Sequence, residues 1–179
     1  QSSISHGKIA EIHQKLRLQM ENIILIGMPG SGKTTVGKLL AAQLGKQFMD
    51  ADAAIAEKAG MSIPEIFAQM EEHGFRSMET AVLEELGKRS GLVIATGGGC
   101  VTREENYPLL HQNGTIFCLH RPLEQLPTDG RPLSQQGKLE EMYRIRKPLY
   151  ERFADHHIHN DSDAQDAAAA IIKLWEDGK

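Results

Sequence analysis

The stretch ENIILIGMPGSGKTTVGKLLAAQLG, residues 21–45, determines the interpretation of the whole chain. Its apolar run at 22–26 predicts a buried strand, and a glycine-rich turn follows directly. A helix is predicted from about Thr34 to Leu44, where Gly45 would end it. A strand, a glycine-rich turn and a helix in this order are typical of a loop that binds nucleotide phosphate.

The glycine-rich turn fits the pattern G-x-x-x-x-G-K-[ST] through Gly27, Gly32, Lys33 and Thr34. Backbone N–H groups of such a loop point at phosphate oxygens, and the positive end of the following helix adds to the attraction. The pattern places Lys33 at the β- and γ-phosphates and the Thr34 hydroxyl on Mg²⁺. We therefore expect nucleotide binding by Gly30, Ser31, Gly32, Lys33, Thr34 and Thr35.

Length and composition narrow the class of protein. A chain of 179 residues fits one domain, and a net charge of −4 argues against an extended nucleic-acid surface. Apolar runs stay well short of the roughly 20 residues of a membrane span, so we expect no membrane partner. Cys100 and Cys118 do not indicate a disulfide framework, and a reducing cytosol fits them best.

Short strands alternate with helices along the chain. This alternation predicts a parallel sheet with helices on both faces. The predicted strands lie at 22–26, 47–52, 91–95, 115–120 and 156–160, and the predicted helices at 34–44, 53–59, 63–89, 104–112, 138–153 and 164–176.

Two segments stand outside this alternation. Ile9, Ile12 and Leu16 have helical spacing, which predicts a short amphipathic helix. We interpret residues 1–19 as an appendage to a domain at 20–179; the alternative is an ordinary helix packed on that domain. Residues 127–137 are rich in Pro, Gly and polar side chains, which predicts a loop.

The acceptor of the phosphate is a separate question. The chain has no N-K-x-D motif of a GTPase and is too short for a large motor ATPase, so a small-molecule or nucleotide kinase remains. Ligands of open parallel sheets bind at the carboxyl ends of the strands. There, Asp50 and Asp52 would point the same way on an extended segment, one toward Mg²⁺ and one toward an acceptor hydroxyl. The alternative for Asp52 is a helix N-cap.

Two further features lie at the same predicted edge. Arg76 begins an otherwise apolar helical stretch, and taken alone it is typical of a solvated side chain. Gly97, Gly98 and Gly99 follow a strand, and three consecutive glycines are costly in backbone entropy. They favour a ligand pressed against bare backbone, with a plain flexible turn as the alternative.

Taken together, these segments resemble the shikimate kinases, small P-loop enzymes of aromatic amino-acid synthesis. The likeness covers about residues 22–175 and rests on GMPGSGKTTVGKLLA, FRSMET, ATGGGCV, GRPL and RIRKPLYE, in the family's order. It implies a three-layer α/β/α fold with a five-stranded parallel sheet in the order 2-3-1-4-5. It also implies a monomeric, cytoplasmic enzyme that uses ATP to convert shikimate to shikimate 3-phosphate.

The resemblance implies a role for each motif residue. Thr34 would coordinate Mg²⁺ with Asp50 assisting, and Asp52 would orient the attacking shikimate hydroxyl. Two arginines, Arg76 and Arg146, would hold the shikimate carboxylate in a pocket lined by the backbone of Gly97, Gly98 and Gly99.

A lid at about 127–137 would bring Arg131 to the transferring phosphate and to the nucleotide. The lid is short for the family, and no arginine stands between Arg121 and its start, which predicts weak discrimination between ATP and GTP. The run HHIH at 156–159 places His157 and His159 on one side of a strand; we interpret it as a strand edge near the nucleotide in preference to a metal site.

Two rival functions remain open from the residues. One is a gluconate-type kinase, another small P-loop enzyme for a hydroxy acid. The other is a catalytically degenerate relative that serves as a nucleotide-dependent binding module. The presence of Lys33, Asp52, Arg76, Arg131 and Arg146 argues against degeneracy.

Overall fold

The part of the chain that the structure describes contains five strands and seven α-helices. A computed structural model describes residues 5–126 and 133–178, except for the side chains of 133–136. The strands are β1 (Asn22–Ile26), β2 (Gln47–Asp50), β3 (Leu92–Ala95), β4 (Gly114–His120) and β5 (His156–His159). The helices are α1 (His6–Met20), α2 (Lys33–Leu44), α3 (Ala51–Ala59), α4 (Ile63–Gly87), α5 (Asn106–His111), α6 (Leu133–Phe153) and α7 (Ala164–Asp177).

All strand pairs are parallel, and the order across the sheet is β2-β3-β1-β4-β5. Alternate residues of the central strand face opposite layers. Ile24 and Ile26 pack with α3, α4, α5 and α6, whereas Ile23 and Leu25 pack with α2 and α7. A strand covered on both faces needs an unbroken apolar run, as 23–26 has. The predicted three-layer fold and strand order are confirmed.

The chain enters a helix earlier than predicted after β2. The strand ends at Asp50, and the Asp50 carboxylate caps α3 by accepting a hydrogen bond from the Ala53 amide at 3.1 Å. The prediction of an extended segment through Asp52 is therefore wrong, and so is the alternative of an N-cap at Asp52. Aspartate is a favoured N-cap, and the alanine-rich residues after it favour helix.

Helix α4 has a kink that the sequence pattern does not predict. Glu71 has φ 59° and ψ −176°, so two helical segments meet there. Such a conformation is unusual for a residue other than glycine. Gly74 allows the close contact at the kink, because a Cβ there would lie 2.5 Å from Cβ of Met70. Arg76 lies five residues after the kink, within the second segment, so its predicted place at a helix start is wrong.

Helix α6 begins at Leu133, so the prediction of a loop through residue 137 is wrong at that end. Gly137 alone costs only about 1 kcal/mol in a helix, which the helix-forming residues around it offset. Residues 127–132, and Arg131 with them, lie outside the described residues.

Helix α1 is present as predicted, yet it buries none of its side chains. Ile9, Ile12 and Leu16 are all exposed. The helix is joined to the domain at its end, where Arg17 donates hydrogen bonds to the carbonyls of Trp175 and Gly178. The boundary at residue 20 stays a prediction. Of the helices in 5–126 and 133–178, none is long and apolar enough to cross a bilayer.

Gly74→Ala should destabilise the protein by about 1–3 kcal/mol, because the added methyl group overlaps Met70 at the kink. Gly137→Ala is the matched control, since nothing lies within 4 Å of its Cβ position and alanine favours a helix. Urea unfolding measures both. Equal effects of the two substitutions would contradict the close packing at the kink.

Candidate active site

The loop between β1 and α2 has the backbone of a phosphate-binding loop. Gly27 has φ 146° and Gly32 has φ 99°, values that favour glycine. A side chain at Gly27 would also meet the Leu119 carbonyl oxygen at 2.6 Å. The loop leads directly into the first turn of α2, where Thr34 and Thr35 are exposed. Gly30, Gly32, Lys33, Thr34, Thr35 and Arg121 line one open cleft.

Two residues that the sequence did not predict hold this loop in place. The Asn160 amide, after β5, donates a hydrogen bond to the Ser31 carbonyl at 2.8 Å. Arg121, after β4, donates to the carbonyls of Gly30 at 3.1 Å and Asn160 at 3.2 Å. The sequence gives little signal for these contacts, because 91 and 129 residues separate the partners.

Lys33 is folded back onto its own loop. Its ammonium donates hydrogen bonds to the carbonyls of Gly27 at 2.7 Å and Met28 at 3.0 Å. Desolvation lowers the pKa of Lys33 to about 8, and the nearby Cys100 and Asp52 oppose that shift. A bound phosphate would supply the negative charge that this desolvated cation lacks. The buried Ser31 hydroxyl has no hydrogen-bond partner among the described residues.

The three glycines after β3 are required by close approach, since none of them has a positive φ. A Cβ on Gly97 would lie 2.8 Å from Asp52 Oδ1 and 3.1 Å from Glu79 Oε2. A Cβ on Gly99 would overlap the Arg76 guanidinium. Charged side chains thus press against this backbone, and the binding of a ligand there stays a prediction.

Arg76 forms a buried ion pair with Glu79, one turn further along α4. The Arg76 Nη1 to Glu79 Oε1 distance is 2.9 Å, the Glu79 side chain is 0% exposed and that of Arg76 is 11% exposed. Burial raises the pKa of Glu79, and the Arg76 charge and hydrogen bond oppose the rise. Arg76 is therefore not a solvated side chain. Its partner Glu79 is a residue that the sequence analysis did not identify. Its signal was the i, i+3 spacing within FRSMET.

Asp52 lies on the first turn of α3, and its carboxylate is beside Gly97. Its Oδ1 is buried without a hydrogen-bond partner among the described residues, as are Glu79 Oε2 and Arg76 Nε. Desolvation and then the neighbouring Asp50 raise the pKa of Asp52, while Lys33 and Arg76 oppose the rise. Buried polar atoms are almost always satisfied, so three unpartnered atoms beside one glycine run form an unusual polar cluster.

Helix α6 brings Arg146 to the acceptor side of the site. The Arg146 charge lowers the pKa of Glu79 and of Lys33, so it lies near both groups. Tyr150, one turn later, donates a hydrogen bond to the Gly98 carbonyl at 2.6 Å. The structure therefore places the predicted Lys33, Asp52, Arg76, Gly97–Gly99 and Arg146 around one region at the carboxyl ends of β1, β2 and β3.

The predicted Mg²⁺ ligands have suitable chemistry. Thr34 offers a hydroxyl and Asp50 a carboxylate, and Mg²⁺ prefers oxygen ligands. One Asp50 oxygen caps α3, which leaves the other for a ligand. The charge of Asp50 raises the pKa of Asp52, a repulsion that a cation would relieve.

Comparison with known proteins agrees with this geometry. The family model described as shikimate kinase matches residues 29–176. The chain belongs to the shikimate kinase family. A shikimate kinase of Nitrosomonas europaea is 46% identical over 162 residues, which are 86% of this chain and 76% of that one.

Solved structures give the same assignment. A shikimate kinase from Acinetobacter baumannii in complex with shikimate superposes with a TM-score of 0.84 at 41% identity, covering 93% of this chain and 98% of that one. The shikimate kinase of Aquifex aeolicus superposes with a TM-score of 0.77 at 32% identity, covering 87% and 96% of the two chains.

The affinity for a nucleoside triphosphate should fall above pH 8. Phosphate binding requires protonated Lys33, whose pKa in the free protein is about 8, so each further pH unit should cost up to about tenfold. Calorimetry between pH 7 and pH 9.5 measures this dependence. Lys33→Met should bind weakly and without the dependence; an affinity of the native chain that is flat up to pH 9.5 would contradict the low pKa.

Proposed function

We propose that this protein transfers the γ-phosphate of ATP to the 3-hydroxyl of shikimate, giving shikimate 3-phosphate and ADP. The observation that carries this proposal is the group of Asp52, Arg76 and Glu79 beside Gly97 and Gly99, next to the phosphate-binding loop. The family membership supports the same activity. Since both cysteines are free thiols, we further propose a cytoplasmic enzyme, and we expect a monomer.

Arg76 and Arg146 are suited to the shikimate carboxylate. The planar guanidinium donates two parallel hydrogen bonds to a carboxylate, which gives direction as well as affinity. Glu79 holds Arg76 through Nη1, and Arg76 Nε has no partner among the described residues. Glu79 thus fixes the orientation of Arg76, and the proposal requires that the guanidinium offer its remaining N–H groups to the substrate.

Asp52 is suited to the attacking hydroxyl. Its Oδ1 would lie 2.8 Å from a Cβ on Gly97, so a side chain at that position would crowd it. The acceptor hydroxyl attacks the γ-phosphorus, its proton passes to Asp52, and ADP leaves. Desolvation raises the pKa of Asp52, which makes its carboxylate a stronger base than an exposed one.

The positive charges of the site supply most of the catalysis. Phosphoryl transfer depends on positioning and on neutralising charge on the phosphate oxygens. Lys33 would leave the carbonyls of Gly27 and Met28 for the phosphates. Thr34 and Asp50 would hold Mg²⁺, which when bound neutralises part of the phosphate charge.

Arg131 is proposed to add a further positive charge from the lid. It lies outside the described residues, and its role stays a prediction, as does the expected weak discrimination between ATP and GTP. Closure of a lid over the phosphates would exclude water from the transfer site.

Arg76→Ala and Arg146→Ala should each weaken shikimate binding by roughly 10- to 150-fold, because each removes charge-assisted hydrogen bonds worth about 1.5–3 kcal/mol. ATP affinity should change little. Arg144→Ala is the matched control, since this exposed arginine on the same helix pairs with Glu141. Calorimetry with each ligand measures the effects, and native shikimate affinity in both variants would refute the proposed pocket.

Arg131→Ala should lower kcat by about 100-fold or more with little change in the affinity for shikimate, because it removes charge stabilisation of the transferring phosphate. Lys138→Ala, an exposed lysine at the start of α6, is the control. A coupled assay of ADP release measures kcat. Activity close to that of the native chain would show that the lid contributes no catalytic charge.

A further inference from the structure

Four metal-ligating side chains share one face of the sheet at its β4–β5 edge. The parallel register places Cys118 beside His157 and His120 beside His159. Since alternate strand residues point the same way, all four face the layer that contains α6. The burial pattern agrees: Cys118 packs in the core on the α6 side, and Ile158, between the two histidines, packs in the opposite core.

Three of these side chains bring ligand atoms together. His120 Nε2 and His157 Nδ1 are 2.7 Å apart, and their rings stack with centroids 4.9 Å apart. With Cys118 Sγ, the three ligand atoms all lie within 4.8 Å of one another. Around a tetrahedral Zn²⁺, such atoms stand about 3.3–3.6 Å apart, given metal–nitrogen and metal–sulfur bonds of about 2.0–2.3 Å. Small side-chain adjustments would therefore suffice for coordination.

The contact between the two rings is compatible with a shared ion. Nitrogens 2.7 Å apart lie at hydrogen-bond distance, and a bound ion would replace the proton between them. A coordinating thiol is deprotonated, so binding would also release the proton of the buried Cys118 thiol.

The surroundings give an ion both access and an open coordination position. Cys118, His120, His157 and His159 line a cavity of about 530 Å³, which extends to Tyr150 on α6. His157 is exposed, so the cavity is reached from solvent. Charges of both signs lie around it: Lys147 and Glu151 from α6, with Arg121 and Asp161 from the loops after β4 and β5.

We propose that Cys118, His120 and His157 form a binding site for a divalent ion of the zinc type, with the fourth position taken by water or His159. Imidazole and thiolate ligands select such ions, whereas Mg²⁺ prefers oxygen. The site is therefore distinct from that of the Mg²⁺ used with ATP. The proposed metal site does not depend on the identity of the phosphate acceptor. The cavity beside it also reaches Met28 in the phosphate-binding loop.

Titration of the full chain, without a histidine tag, with Co²⁺ tests this proposal, because thiolate-bound Co²⁺ shows charge-transfer absorption in the near ultraviolet. We expect one equivalent to bind with this absorption and Zn²⁺ to displace it. Cys118→Ser should abolish the absorption. His157→Ala should weaken binding by about 100-fold or more, since even loss of a group behind a ligand costs 10- to 100-fold. His157 is exposed, so this variant should fold.

Two matched controls separate the site from nonspecific binding. Cys100→Ser changes the other buried cysteine, and His156→Ala changes the histidine whose ring stacks on Phe117 on the opposite face of the sheet. Both should bind Co²⁺ as the native chain does. Binding without thiolate absorption, native affinity in His157→Ala, or binding abolished by His159→Ala but kept by Cys118→Ser would each overturn the proposal.

Discussion

The ion pair between Arg76 and Glu79 constrains the acceptor side of the site more than any other contact. Glu79 is fully buried, and a buried carboxylate is very costly unless a cation pairs with it. The pair therefore fixes Arg76 against the backbone of Gly99, where a side chain would not fit. Removing either partner would leave a buried charge, so the structure depends on both.

Some polar atoms of this pair and of Asp52 are buried without a partner. Glu79 Oε2, Arg76 Nε and Asp52 Oδ1 have no partner among the described residues. Lys33 differs on the nucleotide side, where its ammonium bonds to carbonyls of its own loop and would have to leave them for a phosphate. Arg76 is thus oriented before a ligand arrives, which reduces the ordering cost of binding, whereas Lys33 has to change its partners.

Local patterns made part of this site predictable. The phosphate-binding loop spans eight residues, and its spacing alone determines which backbone and side-chain groups meet phosphate. Asp50 and Asp52 were correctly placed at the sheet edge, but the start of α3 was missed because an aspartate next to alanines suits both a strand end and a helix cap. The kink at Glu71 has no sequence signal, since glutamate rarely adopts that conformation.

Contacts between segments that are distant in the sequence could not be predicted from it. The hydrogen bond from Asn160 to Ser31 and that from Arg121 to Gly30 form only when β5 and β4 lie beside the loop. The pairing of Cys118 with His157 likewise depends on parallel register between strands that are far apart in sequence. The sequence places Cys118 and His120 far from the histidines of β5. Those histidines alone therefore predicted a strand edge in preference to a metal site.

The most direct test of the account measures ADP release with shikimate, gluconate and nucleoside monophosphates as competing acceptors. In the proposed site, two arginines bind one carboxylate and one aspartate binds one hydroxyl. Such a site should discriminate strongly between phosphate acceptors, because a poorly matched acceptor leaves buried polar groups unpaired. The account predicts a kcat/KM for shikimate at least about 100-fold above those of the other acceptors. An equal or higher value for gluconate or a nucleotide, or no turnover with any acceptor, would contradict it.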